Sequence, residues 1–231
     1  MSATKRVSVH VASDDLGTRL PMLLESLTSQ SVQDWQAVVI DNSGARPTVA
    51  EPPVYILRNP KPQGLARSMG QAIELALSRW EGERLENRFV LLVRPDLILA
   101  PDFIERCLNV MDADPTLALA WPAFSSSSYA VGESESPTVE FSEDRILPKR
   151  ELDAPAACVF IRASDIGHSR PDIRFDDTRS LMDFVWRIMA GGSKGREMPE
   201  AVAWLQPGAT LASPGFLRYW TWVWTRRAPR S

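Results

Sequence analysis

The sequence predicts an α/β fold with a mostly parallel central sheet flanked by helices, and three observations carry that expectation. Val7-Ser8-Val9-His10-Val11 and Trp35 to Ile40 are apolar runs separated by a stretch in which Leu20, Leu23, Leu24 and Leu27 recur at helical spacing. A strand, helix, strand order of this kind implies a parallel pair. Phe89-Val90-Leu91-Leu92-Val93 is a continuous apolar run, as expected of a central strand covered on both faces. With 231 residues, 44% hydrophobic and 24% charged, the chain can bury a full core.

In chain order, the first strand ends at Ser13-Asp14-Asp15 and the second at Asp41-Asn42-Ser43. Ligands of open α/β sheets sit outside the carboxyl ends of the strands, so these residues should face one crevice and receive a small polar ligand. Val54-Tyr55-Ile56-Leu57 reads as a third strand, and the turn-rich Asn59-Pro60-Lys61-Pro62-Gln63-Gly64 leads into a helix. Leu65, Met69, Ala72, Ile73, Ala76 and Leu77 form its apolar face up to Trp80, before a charged connection from Glu81 to Arg88. The strand from Phe89 ends at Arg94-Pro95-Asp96, which brings a second carboxylate to the crevice. Pro101-Asp102 opens a helix with Phe103, Ile104, Cys107, Leu108 and Met111 inward, and Leu117 to Trp121 is the next strand.

From Ser125 to Arg150 the pattern breaks into serine-rich and short alternating pieces, an expected excursion over the surface. Ala156 to Ile161 returns as a buried strand, Met182 to Met189 as a short helix and Ala201 to Leu205 as a last strand. The expected organisation is one domain over 1–231, with a crevice-bearing half to residue 124, a mixed lobe over 125–212 and a Trp/Arg-rich segment over 213–231.

Composition narrows the function classes. A net charge of −3 argues against a general nucleic-acid binder, which needs a basic face to displace counterions. Cys107 and Cys158 lie far apart without metal-ligand partners, so two reduced, buried thiols are expected. Neither an apolar signal region nor a run of about 20 apolar residues is present, and a cytoplasmic protein is the expectation. His10 should be packed in the core and His168 solvated. Phe216 to Arg227 is dense in tryptophan and arginine. Three readings compete for it: packing on its own domain, contact with a second copy or another protein, and contact with a membrane surface at the inner face.

Several motifs together resemble family 2 glycosyltransferases of the GT-A fold. Leu23-Leu24-Glu25-Ser26-Leu27-Thr28-Ser29-Gln30, leading to Val38-Val39-Ile40-Asp41-Asn42-Ser43, is similar to that family's opening "LLxSLxxQ … VIVVDNxS". Leu57-Arg58-Asn59-Pro60 through Gly64-Leu65-Ala66-Arg67 resembles "N…N.GLARARN". Leu91-Leu92-Val93-Arg94-Pro95-Asp96 followed by Leu99-Ala100-Pro101-Asp102-Phe103 resembles "LLLNPDT..LAPD", and Met182-Asp183-Phe184-Val185-Trp186-Arg187 resembles the helix start "EDVDLxxR". The chain also departs from the pattern. Ser13-Asp14-Asp15 stands where the family has Thr-Tyr-Asn, Arg94-Pro95-Asp96 where it has Asp-x-Asp or Asn-Pro-Asp, and Ser180 and Leu181 where it has a Glu-Asp pair. The late histidine of such chains maps near Trp204.

The resemblance implies transfer of a sugar, hexosyl or rhamnosyl in type, from a nucleotide diphosphate sugar to a glycan or other acceptor, with inversion, as in polysaccharide biosynthesis. It makes residues to 124 the nucleotide-sugar-binding half, with Ser13, Asp15, Asp41, Asn42, Arg67, Arg94 and Asp96 as donor contacts. Asp96 would hold a divalent cation, Mg or Mn, that bridges the phosphates. Arg94 has two readings: bidentate phosphate contact, or an ion pair that neutralises Asp96. Asp41 either accepts from a pyrimidine N–H or caps the turn at Ser43 and Gly44. Arg67 either reaches a phosphate from the first turn of its helix or is merely solvated. Asp183 is the catalytic base or a helix-start carboxylate held by the dipole, with Asp176 and Asp177 as further carboxylates nearby. The rival reading is a catalytically weakened relative that acts as a nucleotide, glycan or protein-binding scaffold. An unrelated nucleotide-binding enzyme is disfavoured because the chain has no phosphate loop and no Gly-x-Gly-x-x-Gly.

Overall fold

A computed structural model describes residues 4–14, 16–44, 52–125, 157–175, 178–206 and 209. Asp15, Asp176, Asp177, the excursion beyond Ser125 and the segment from Phe216 to Arg227 lie outside the described residues. The elements are β1 (Val7–Ser13), α1 (Leu20–Thr28), β2 (Trp35–Asp41), β3 (Val54–Arg58), α2 (Leu65–Arg79), β4 (Phe89–Val93), β5 (Leu97–Leu99), α3 (Phe103–Ala113), β6 (Leu117–Ser125), β7 (Cys158–Arg162), α4 (Ala163–Ile166), α5 (Arg179–Ala190) and β8 (Lys194–Leu205).

The strands form one sheet in the order β3-β2-β1-β4-β7-β6-β8-β5. β3, β2, β1 and β4 run parallel, as the hydrophobic pattern predicts. Beyond them the sheet is mixed: β7 is antiparallel to both β4 and β6, β8 is parallel to β6, and β5 is antiparallel to β8. The chain order runs outward from β1 through β2 to β3 and then returns to the other side of β1 with β4. That reversal is a topological switch point, where loops leave adjacent strand ends and open a crevice.

Helices cover both faces, which is why β1 and β4 are buried along their whole length. Val7, Val9 and Val11 join Leu20, Leu23 and Leu27 of α1 and Phe103, Ile104 and Cys107 of α3 in one core. On the other face Val38, Ile40, Val90 and Leu92 meet Met69, Ala72, Ile73 and Ala76 of α2 and Phe184 and Val185 of α5. The inward set of α3 is the five residues expected from helical spacing. Gln30 links the two helices of the first core. Its amide donates to the Ser26 and Ala100 carbonyls at 2.9 and 2.7 Å, and its oxygen accepts from the Ile104 N–H at 2.9 Å, an amide in the first turn of α3.

Three features depart from the local pattern. The charged connection before β4 contains a 3-10 turn, Leu85–Asn87. Leu97–Leu99 is a short strand, and β8 begins at Lys194, seven residues before the expected Ala201. Lys194 to Glu200 is polar and contains a proline, so only pairing with β6 makes it a strand. Gly195 is required there because a Cβ would lie 2.8 Å from the ring of the buried Trp121.

The buried Arg162 ends β7 and closes the base of the core. Its guanidinium donates to the carbonyls of Leu117 (2.9 Å), Glu86 (2.6 Å) and Met111 (2.7 Å), and it lies 5.2 Å above the Phe89 ring. Met111 lies in the last turn of α3, where carbonyls lack helical partners. Both cysteines are buried and neither forms a disulfide, and burial pushes the Cys158 thiol pKa up.

His10 is buried in β1, with its Nε2 2.9 Å from the Ser8 hydroxyl. Burial, assisted by the Arg79 charge, pushes its pKa down to about 3. The unfolded chain takes up this proton near the ordinary value of 6.5 and the native state does not, so stability falls as the pH drops through that window. Urea unfolding at about pH 7 and about pH 4.5 should show a loss of roughly 2–3 kcal/mol from this group. His10→Gln should remove that part of the slope, and parallel pH profiles for the two proteins would refute the assignment.

Candidate functional site at the carboxyl ends of the strands

Parallel register places Ser13, Asp41 and Arg58 in one row at the ends of β1, β2 and β3. Asp41 is fully buried and its carboxylate is enclosed. Oδ1 accepts from the Ser43 amide at 2.8 Å and the Ser43 hydroxyl at 2.6 Å. Oδ2 accepts from Arg58 Nε at 2.8 Å, with Nη2 2.7 Å from the same oxygen. Three hydrogen bonds and the Arg58 ion pair thus engage both oxygens. Burial opposes the charge on Asp41, but the Ser43 bonds and the Arg58 guanidinium outweigh it and hold the pKa below the ordinary value. The turn-capping reading therefore describes Asp41 as it stands in this structure, with Arg58 as its counter-charge.

Asn42 is a second knot. Its amide donates to the Ser68 hydroxyl at 2.8 Å, and its oxygen accepts from the Asn59 amide group at 2.9 Å. The Asn42 N–H donates to the Ser13 carbonyl at 2.9 Å, so this residue ties β1 and β2 to the loop before α2 and to the first turn of that helix. Arg67, the third residue of α2, is exposed. It stands beside an amino terminus whose N-cap residue, Gly64, supplies no side chain.

The switch point itself holds a cluster of charge. Asp96, 2% exposed, follows β4. Arg94 donates to it through Nε at 2.9 Å on Oδ1 and through Nη2 on Oδ2. Arg19, from the loop after β1, reaches Oδ2 through Nη1 at 3.3 Å and is 45% exposed along its side chain. One buried carboxylate thus faces two guanidiniums, and the cluster presents net positive charge to the crevice. Arg19 and Gln206 were not among the residues expected from the sequence. Gln206 is buried after β8. Its amide group donates to the carbonyls of Arg19 (2.9 Å), Pro95 (3.2 Å) and Leu97 (3.3 Å), while its backbone N–H donates to the Asp96 carbonyl at 3.0 Å. Three loops from distant parts of the chain meet on this side chain. Of these partners only the Arg94–Asp96 contact is local in sequence, so no motif could have revealed the rest.

The expected metal role of Asp96 does not fit this donor set. A hard divalent cation takes oxygen ligands, and both oxygens of Asp96 already accept from guanidiniums. Among the described residues no group of three or more His, Cys, Asp or Glu side chains could hold a metal ion. A cation placed there would also meet two like charges, each costing about 4 kcal/mol per unit charge at 4 Å and an effective dielectric constant of 20.

Asp183, the expected base, lies in α5 and is 2% exposed. Arg187, one turn on, donates to its Oδ2 at 2.9 Å, and Arg187 also donates to the Arg170 carbonyl. Burial raises the pKa of Asp183, and the Arg187 charge opposes that rise only in part. A cleft of about 510 Å³ lined by Arg6, Arg84, Asn87, Arg88 and Asp112 lies at the opposite, amino-terminal ends of β1 and β4. Arg6 is paired there with Asp112 at 2.7 Å and Arg88 with Glu83. It contains none of the crevice residues.

Gln206→Ala should lower stability by about 1–3 kcal/mol, since it leaves buried backbone carbonyls without donors. Urea unfolding measures this, and a change below about 0.5 kcal/mol would show that water replaces the side chain at no cost.

Comparison with known proteins places the chain. An uncharacterized glycosyltransferase of Haemophilus influenzae is 26% identical over 115 residues, which cover 48% of this chain and 36% of that relative. Among solved structures, S. aureus TarS 1–349 in complex with UDP-GlcNAc shares 13% identity at a TM-score of 0.60, over 90% of this chain and 61% of TarS 1–349. The mannosyltransferase PcManGT from Pyrobaculum calidifontis, solved with GDP-Man and Mn2+, shares 12% identity at a TM-score of 0.57, over 97% of this chain and 61% of its own. The chain therefore spans little more than a third of the curated relative and about three fifths of the two solved chains. These likenesses show the fold, a mixed sheet flanked by helices of the GT-A kind. The profile of glycosyl transferase family 2 matches residues 17–168, well over half of the sequence, and the chain belongs to that family.

Proposed function

We propose that the crevice binds a nucleotide diphosphate sugar and that the chain transfers the sugar to a glycan or other acceptor with inversion. The observation that carries this reading is the convergence of the loops after β1, β4 and β8 on Asp96 at the switch point, where Arg19 and Arg94 supply positive charge. A departing nucleoside diphosphate develops negative charge, and cationic donors fixed in place lower the barrier because they need not reorganise. Family membership supports the same reaction class, and the fold neighbours were solved with GDP-Man and with UDP-GlcNAc.

In the proposed displacement the acceptor oxygen bonds to the anomeric carbon as the bond to the diphosphate oxygen breaks. The acceptor proton passes to a carboxylate. Asp183 is the candidate, since burial raises its pKa toward the range in which a base accepts and later releases a proton. Arg67 and the amino terminus of α2 would add a phosphate contact from the other side of the crevice. Asp41 and Asn42 would act by holding the strand tips, Ser13 and the loop before α2 in place. Two buried cysteines outside any disulfide accord with a reducing compartment, and we assign the reaction to the cytoplasm.

One observation favours a second reading, a binding scaffold with weakened chemistry: Asp41, Asp96 and Asp183 are each engaged by an arginine. Turnover separates the two. With a panel of nucleotide sugars and acceptors, release of nucleoside diphosphate should fall at least tenfold on Asp96→Ala, equivalent to about 1.4 kcal/mol in the barrier. An unchanged rate would remove Asp96 from the site. Nucleotide binding without turnover across the panel would favour the scaffold.

A further inference from the structure

We infer that this crevice recognises the diphosphate of its nucleotide without a divalent cation, through the guanidiniums of Arg19 and Arg94 held in place by Asp96. The inference rests on the nucleotide-binding reading above and specifies how that binding is achieved. Three observations support it.

The first is charge. Around Asp96 the contacts set one buried carboxylate against two guanidiniums, a local excess of positive charge that favours an anion over a second cation. A carboxylate meant to bind metal would instead be left accessible to it. The second is geometry. Arg94 lays the Nε and Nη2 edge of its fork along both Asp96 oxygens, which sets the plane of the guanidinium. Arg19 touches Asp96 through Nη1 alone and keeps nearly half of its side-chain surface exposed. With its Nε–Nη2 edge spent on Asp96, Arg94 contributes a fixed positive charge, while the more exposed Arg19 guanidinium can turn further N–H groups to phosphate oxygens. The third is placement. The two arginines come from the loops that follow β1 and β4, the strands between which the chain order reverses. A ligand spanning that crevice meets both. Gln206 adds rigidity by anchoring the Arg19 and Pro95 carbonyls from a third loop. The cation is thus built into the protein, and the buried aspartate serves as its orienting group.

Isothermal titration with UDP, GDP and dTDP, each with excess EDTA and again with excess Mn2+, tests this. The nucleotide that binds should do so with dissociation constants that agree within about twofold in the two buffers. Arg19→Ala and Arg94→Asn should each weaken binding in EDTA by about tenfold or more. Arg19 is exposed enough that its variant should fold normally, which unchanged urea unfolding would verify. Arg94→Asn restores the Asn-Pro-Asp pattern of the family and should regain affinity when Mn2+ is added. Binding by the natural protein that requires Mn2+, or variants that bind as tightly as it does in EDTA, would overturn this inference and leave the transferase reading standing. An absence of binding in both buffers would overturn both.

Discussion

The placement of β1 between β2 and β4 is the constraint on which the rest of this structure depends. Parallel strands buried on both faces have no freedom to slip, because a shift of one residue would exchange the side chains committed to the two cores. Val7, Val9 and Val11 face α1 and α3, while Ala12 and its neighbours in β2 face α2. With the register fixed, the row of Ser13, Asp41 and Arg58 follows, and so does the gap between the loops after β1 and β4. The site is a consequence of strand order, and its residues need no special local conformation to meet there.

Charge management then shapes the crevice. A carboxylate removed from water is costly unless it is paired and hydrogen-bonded. Each of the three aspartates at issue resolves this with an arginine: Asp41 with Arg58, Asp96 with Arg94 and Arg19, and Asp183 with Arg187. The outcomes differ. Asp41, with Ser43 and Arg58 around it, is held well ionised and serves the turn. Asp183 lies in α5, and its pKa rises because Arg187 compensates burial only in part. Asp96 is paired with two guanidiniums, a local excess of positive charge at the switch point on which the proposed diphosphate contact rests.

Much of this was legible from the sequence because the signals are local. Helical spacing named the inward residues of α3, apolar runs marked β1, β2 and β4, and the motif around Gln30 matched a residue that proves to join α1 to α3. What stayed hidden depends on contacts between distant parts of the chain. Arg19 and Asp96 are 77 residues apart, and Gln206 and Arg19 are 187 apart. Arg162 lies one residue beyond the expected strand Ala156 to Ile161, and its role as a clamp on Leu117, Glu86 and Met111 emerges only when β7 lies beside β4. The start of β8 was missed for a related reason: Lys194 to Glu200 has poor strand character and gains its conformation from β6. The arginine partners of Asp96 were hidden too, because a motif gives the identity of a carboxylate and not the groups that pair with it.

The proposed role of the crevice depends on where a nucleoside diphosphate binds. Hydrogen–deuterium exchange of the protein in EDTA, with and without the diphosphate that gives the strongest binding, locates that surface directly. Peptides covering 14–19, 41–44, 63–68 and 93–97 should gain protection, and those covering Arg6, Arg84 and Arg88 at the opposite end of the sheet should not change. Protection confined to that opposite cleft would contradict the assignment of the crevice as the nucleotide site, as would exchange that remains the same throughout.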